Sequence, residues 1–267
     1  MNVIQNELNL DIQYCRVQCY DGEGNTAAKY SGVAARIIKL NYLALYTHCA
    51  SHRLNICVGA SCQNQNVKNM MDNIQVIFKF FSNSPKKQLL LDQMVATFLH
   101  QYKHSRLVDA CKTRWVLRID GLERFVEMDV PIVESFNAIH TNVNRRWDSC
   151  AAEAFGFASI CTNFDFLMTL MIVRMCLGYT KSATIQLQGA HIDVMKGLRE
   201  VKTMLRSIQT ACDLIDGYHS VWFENACRIA EQVDAPVKSP GICGRQRHRA
   251  NVPACDVENY FKINSFS

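Results

Sequence analysis

The stretch Asp11-Ile-Gln-Tyr-Cys-Arg-Val-Gln-Cys-Tyr20, followed at once by Asp21-Gly-Glu-Gly-Asn25, decides how the chain is read. Its first part is rich in residues that fit a pleated strand, and its second part is a cluster of turn formers, so a strand is expected to end at Tyr20. Working outward, Val33, Ile37, Ile38 and Leu40 recur at helical spacing until Asn41 breaks the pattern, and Ala44 to His48 is short and β-prone. Strand, turn, helix and second strand candidate make an α/β opening. Beyond Cys49 the period becomes helical almost everywhere. Val67, Met70, Met71, Ile74, Ile77, Phe78 and Phe81 form one amphipathic helix ending before Ser82-Asn-Ser-Pro85, and Lys86 to His100 forms the next, with Pro85 near its first turn.

A polar break from Gln101 to Thr113 leads to Arg114-Trp115 and a helix reaching Glu127. Pro131 can open another helix, bearing Ile132, Val133, Phe136 and Ile139. After Asp148 the pattern is the most helical of all, and Met195, Leu198, Val201, Leu205, Ile208, Cys212 and Ile215 read as one long apolar stripe. Residues 234–253 differ in kind, with Pro236, Pro240 and Pro253, two glycines and the basic cluster Arg245, Arg247, His248 and Arg249. They read as an exposed basic loop. A lone first strand and an apolar segment, Val257 to Phe261, starting just before the chain stops suggest an internal piece of a larger protein. On composition the expected division is 1–147, α/β in character with the Arg-Trp segment, and 148–267, helical.

The 267 residues are 49% hydrophobic and 20% charged, with 12 Gly and 5 Pro, which excludes collagen-like, low-complexity and disordered classes. The 13 cysteines are odd in number, form no repeated doublets and often sit in apolar runs such as Ile56-Cys57-Val58 and Met175-Cys176-Leu177. Reduced, mostly buried thiols are therefore expected. The most apolar run, Phe166 to Val173, is bracketed by Asp165 and Arg174 and is far shorter than the ~20 residues of a membrane-spanning helix. The first residues are polar and acidic rather than basic and then apolar. A nuclear or cytoplasmic protein without membrane contact is expected. The net charge of +5 permits nucleic-acid binding without demanding it.

Asp21 stands at the carboxyl end of the first strand, the edge of an α/β sheet where ligands and metals gather; an Asp that merely shapes the turn is the commoner outcome. Cys49-Ala-Ser-His52 has zinc-like spacing, and Cys57 and Cys62 could complete four ligands, but the second tight doublet is missing. A buried Cys and a hydrogen-bonded His one turn apart is the commoner arrangement, with Leu54, Ile56 and Val58 continuing an apolar face. In Lys112-Thr-Arg-Trp115, Thr113 suits a helix N-cap, whereas Arg114 and Trp115 suit phosphate contact and base stacking. Arg245, Arg247 and Arg249 could touch nucleic acid, act as a targeting signal, or form a solvated loop. There is no Gly-rich phosphate loop or Ser-His-Asp set on a credible scaffold, and no small-molecule substrate is indicated.

Taken in order, Asp11 to Asn25, Tyr30-Ser-Gly-Val33, His48-Cys-Ala-Ser-His-Arg-Leu-Asn55, Phe80-Phe-Ser-Asn-Ser-Pro85, Thr113-Arg-Trp115, Arg245 to Asn251 and Glu258-Asn-Tyr260 resemble the hAT superfamily of transposases. Within it they are most similar to its transposon-derived zinc finger MYM-type and kinase-inhibitor-repressor branches. The resemblance implies a ribonuclease H-like core interrupted by a large all-helical insertion, with a zinc module upstream and a dimerisation region downstream. It implies that Asp21 is the second carboxylate of an Asp-Asp-Glu metal triad, that Cys49 and His52 are a Cys-x-x-His motif beside it, and that Arg114 and Trp115 handle a flipped base. An intact family member would use magnesium. Here the first Asp would belong to an earlier strand and the last Glu would lie beyond Ser267, so no cofactor is expected for this chain and no catalysis by it alone. Where the family has Gly-Gln-Gly-Tyr-Asp-Gly-Ala this chain has Val17-Gln-Cys-Tyr-Asp-Gly-Glu23. The implied function is that of a hAT-type transposase segment or domesticated derivative with residual nucleic-acid binding. The alternative is a host regulator acting through protein contacts made by the helical part.

Overall fold

The computed structural model describes residues 7, 10–21, 32–99, 104–109, 115–141, 149–187, 193–240 and 256–266. Two compact units are formed, Met1–Ser61 and Cys62–Ser267. Packing thus draws its line at a different place from the one composition draws at 147 and 148. Helix dominates overall, with one small parallel sheet.

In the first unit a 3-10 turn, Ile12–Tyr14, precedes strand β1, Val17–Tyr20; helix α1, Val33–Leu40, then leads to strand β2, Leu45–His48, and helix α2, Ala50–Ser61. The strand expected from Asp11 is therefore four residues long. Its first half is diverted because Asp11 accepts a hydrogen bond from the Gln13 backbone (2.9 Å) and caps the turn. The Asn41 side-chain amide then donates to the carbonyls of Ile12 (2.9 Å), Gln13 (3.0 Å) and Cys15 (2.8 Å), which a longer strand would have offered to a neighbour. Asn41 also ends α1, as its polarity suggested. The first strand does find a partner: β1 pairs parallel with β2, Val17 opposite Leu45 and Tyr20 opposite His48. Right-handed crossover through α1 is the usual solution for such a unit.

The second unit is built from helices α3 (Gln65–Ser82), α4 (Pro85–Phe98), α5 (Trp115–Glu127), α6 (Asp129–Thr141), α7 (Ala151–Cys161), α8 (Phe164–Leu187), α9 (Val194–Asp213), α10 (Ile215–Gln232) and α11 (Val257–Phe266). Pro85 opens α4, as its place in the sequence suggests; in addition Asn64 caps α3 through the Asn66 backbone (2.8 Å) and Asp193 caps α9 through Met195 (2.8 Å). Pro131 sits inside the first turn of α6, which begins two residues earlier, at Asp129. At the end of α10, Asp234 takes a left-handed φ of 53°, and the Ala235 amide bonds back to the Ala230 carbonyl (2.8 Å), closing the helix.

The core centres on α8, which packs on α3, α5, α7, α9 and α10. Its buried residues include Phe164, Leu167, Met168, Met171 and Leu177. On one side Phe80, Phe81, Phe136 and Phe157 from α3, α6 and α7 meet ring to ring at 5.2–5.5 Å. On the other, Phe164 meets Phe223 of α10 and Phe261 of α11 at 5.6 and 5.3 Å. Lys181 of α8 binds Glu123 and Asp120 of α5.

Two further expectations are corrected. The stripe from Met195 to Ile215 is not one helix, since Ile215 starts α10, and it divides between two sides: Val201, Ile208 and Ile215 are half-buried beside the buried Gly197, Met204 and Ala211, while Met195, Leu198, Leu205 and Cys212 are exposed. The described cysteines are free thiols, and of them only Cys150 and Cys161 are buried; Cys57 and Cys176 are exposed even though their neighbours in sequence are apolar. A helix turns 100° per residue, so sequence neighbours of a core residue point elsewhere.

Phe136→Ala should destabilise the helical unit by ~3–5 kcal/mol, read from urea unfolding, because a fully buried ring with aromatic neighbours leaves a cavity they cannot close. Asp129 gives a pH-dependent test. One oxygen accepts from the Val130 amide (2.6 Å), the other is buried with no hydrogen-bond partner among the described residues, and burial pushes the carboxyl up to about 6. A carboxyl raised in the folded state favours folding fully below its ordinary value and loses that contribution as pH rises through about 6. Asp129→Asn should therefore gain on the wild type between pH ~4 and ~7, by up to about 3 kcal/mol. An unfolding difference that stays flat with pH would contradict this.

Candidate functional site

The sheet places the sequence-predicted residues of the first unit at one end. Asp21 follows the last residue of β1 and Cys49 follows the last residue of β2. The Cys49 amide donates to the Tyr20 carbonyl (2.9 Å), so the ladder runs on past both strands and sets Asp21 and Cys49 side by side at the carboxyl edge. Cys49 also starts α2, its carbonyl accepting from the Arg53 amide (3.0 Å), and His52 lies in the first turn of that helix. Asp21 is exposed, while Cys49 and His52 are half-buried. The apolar face expected of Leu54, Ile56 and Val58 is divided, since Leu54 and Val58 are half-buried and Ile56 is exposed, and Ser51 is the buried residue of α2.

The helix-covered face of the sheet adds a group that the sequence reading did not single out. Gln18 is buried and its amide donates to the carbonyls of Ala34 (3.2 Å) in α1 and Ala44 (2.9 Å). Tyr20 and Tyr46 stack with centroids 6.1 Å apart, and the Tyr46 hydroxyl bonds His48 Nδ1 at 3.1 Å. Burial raises the Tyr20 phenol above its ordinary value, with Cys15 adding to it. The signal was present as the period-2 alternation of residues 18 and 20 in one strand and 46 and 48 in the other. On the opposite face Val17 and Leu45 are paired and exposed.

Magnesium favours near-octahedral oxygen coordination, and two-metal sites are held by several carboxylates. Among the described residues, the possible donors that the sequence places near the ends of the two strands besides Asp21 are Cys49, His48 and His52, and His48 Nδ1 is bonded by the Tyr46 hydroxyl (3.1 Å). Among the described residues no three His, Cys, Asp or Glu side chains come together to hold an ion. These residues do not fit magnesium.

The remaining predicted residues are less fully placed. Trp115 begins α5, which packs on α8, but its side chain lies outside the described residues, as do Arg114 and Arg245, Arg247 and Arg249. A cleft of about 280 Å³ in the helical unit is lined by Asn66, Asn69, Asn73, Asn163, Asp165 and Thr169 and contains none of the predicted residues; burial raises the Asp165 carboxyl. Among the described residues no single helix is long and apolar enough to cross a membrane.

Manganese, titrated into the full chain, should broaden the amide signals of residues 20–21 and 48–52 without saturating in the micromolar range, and Asp21→Ala should change this little. Tight saturable broadening lost in Asp21→Ala would show a metal site that the donor set does not suggest.

With this geometry established, comparison with known proteins gives one consistent result. No protein-family model and no solved structure matches the chain. Among curated proteins it is similar to the 52 kDa repressor of the inhibitor of the protein kinase of Homo sapiens, 29% identical over 264 residues, and to that of Mus musculus, 28% over 263 residues. Each match covers 97% of this chain and 35% of the relative, so the chain spans about a third of the length of the curated relatives it matches.

Proposed function

We propose that the chain is a segment of a transposase-derived regulator that does not cut DNA by itself and acts by binding. The observation that carries this is the similarity, along 97% of the chain, to proteins named as repressors of a kinase inhibitor. The hAT-like motifs quoted above supply the transposase ancestry, including the kinship to zinc finger MYM-type proteins and the ribonuclease H-like assignment of the α/β unit. Asp21, Cys49 and His52, which the resemblance matches to the family's second carboxylate and Cys-x-x-His motif, lie at one end of the small sheet, in support of that reading. One carboxylate beside sulfur and nitrogen donors supports the reading that strand cleavage has no metal pair to work with here. Nuclear or cytoplasmic residence follows from the repressor reading.

Residual nucleic-acid affinity belongs to the same proposal. Arg114 and Trp115 would engage phosphate and an unpaired base, and Arg245, Arg247 and Arg249 would add sequence-independent charge. A handful of phosphate contacts gives a log-log salt slope of only a few units, at about −0.9 per phosphate on duplex DNA.

One set of assays tests both parts. The chain with magnesium or manganese and a transposon-end duplex should show no cleavage or joining; nicking that Asp21→Ala abolishes would refute the first part. Against single-stranded oligonucleotides Trp115→Ala should weaken binding by ~1–3 kcal/mol while duplex binding hardly changes. The Arg245/Arg247/Arg249 triple alanine variant should weaken both and flatten the salt slope. Equal loss on both substrates with Trp115→Ala would make the indole a packing residue instead.

A further inference from the structure

Helix α9 carries a buried row and an exposed row of residues, with Val201 and Ile208 half-buried between them. Gly197, Met204 and Ala211, spaced seven apart, are buried, in a helix that packs on α8 and α10. The second row faces outward: Val194 is 77% exposed, Leu198 46% and Leu205 56%, with Cys212 exposed in line with them. At 3.6 residues per turn these four positions fall within roughly 40° of one another, a strip about three turns long from Val194 to Leu205. Immediately beside it, on the side away from the buried row, run Lys202, Arg206 and Arg199, all exposed, with Met195 (59% exposed) among them. Among the described residues none of these three cations forms an ion pair. The acids of the helix are engaged elsewhere: Glu200 accepts from Ser182 of α8 (3.1 Å) and Asp213 from Gln209 (2.7 Å).

We propose that the strip Val194, Leu198 and Leu205, edged by Arg199, Lys202 and Arg206, docks an amphipathic helix of a partner protein whose flank carries Asp or Glu. Charge complementarity selects this occupant. The surface is an apolar row with uncompensated positive charge along one edge, and a helix laid on it meets those cations with whatever lines its own flank. A second copy of the chain is disfavoured, because antiparallel pairing of two α9 strips sets the cationic edge of one beside the same edge of the other. A lipid surface fits less well: an interfacial helix carries cations along both flanks and bulky, often aromatic, residues between them. Here the other flank is the row packed against protein, and α9 has no aromatic residue. This inference rests on the regulator reading for the existence of a partner, and names what kind it is.

The test uses the full chain and a fluorescent synthetic helix of about five turns, leucine on one face and glutamate along one flank, with a lysine-flanked counterpart. Anisotropy should show saturable binding of the acidic peptide that weakens with salt. Leu198→Ser/Leu205→Ser and Lys202→Glu/Arg206→Glu should each weaken it at least roughly tenfold, with unchanged circular dichroism since all four side chains are exposed. The second variant should gain affinity for the lysine-flanked peptide. Absence of saturable binding, or binding indifferent to both variants, overturns the proposal. So does self-association lost in the leucine variant, or phosphatidylserine vesicle binding that depends on the same residues while the peptide fails. None of these outcomes touches the oligonucleotide and cleavage assays, so the two readings fail separately.

Discussion

A helix whose buried residues spread over most of its circumference has to be covered on several sides, and Phe164–Leu187 is such a helix. Over its first three turns Phe164, Phe166, Leu167, Met168, Leu170, Met171 and Val173 are all buried, leaving Asp165, Thr169 and Ile172 half-buried on the remaining side. The helical unit is the arrangement that covers them. α3, α5, α7, α9 and α10 each take a side, and the phenylalanine clusters at either end fill the gaps between them. The polar groups on α8 obey the same constraint. Thr180 and Thr184 are buried and return their hydroxyls to the carbonyls of Leu177 and Thr180 at 2.8 and 2.7 Å, so neither hydroxyl is left stranded. Toward the end of the helix Lys181 reaches Glu123 and Asp120.

The α/β unit works by a different economy. Its apolar core is small, Ile12, Ile37 and Ala44 with Cys15 and Tyr20 against them, and two buried amides do much of the fastening. Asn41 gathers three carbonyls of the segment before β1, and Gln18 ties β1 to α1 and to the residue before β2. The consequence for function is positional. Short strands in parallel register bring Asp21 and Cys49 to the same edge, and the start of α2 adds His52, so residues far apart in sequence meet where a parallel sheet offers its ligand crevice. The donors brought there are chemically mixed, unlike the carboxylate set that the hAT resemblance implies.

On the proposed reading, binding carries the functional weight. The chain has a modest positive charge, and its candidate nucleic-acid contacts are basic or aromatic residues. The outward row of α9 is a surface of another kind, apolar and edged by cations. Nucleic-acid affinity and protein docking would then reside in different residues and can be separated by substitution.

The sequence by itself determined where most elements lie. Caps and breakers such as Asn41, Asn64, Pro85 and Asp193 act through bonds within a few residues, so their effect is readable locally, and the 3.6-residue period of α3 and α6 marked their buried faces correctly. The motifs at Asp21, Cys49 and His52 were equally legible, since they are short and ordered. Tertiary structure decided what depends on neighbours distant in sequence. The strand from Asp11 was cut short by Asn41, some thirty residues on, and its partner was chosen across α1. Along α9, Gly197, Met204 and Ala211 were buried and Val201 and Ile208 half-buried, while Leu198 and Leu205 of the same apolar stripe were left exposed. Hydrophobic periodicity shows that a helix has an apolar side. Which side is buried depends on the shape of the surface it meets, and that is set only when α8 and its other neighbours are in place.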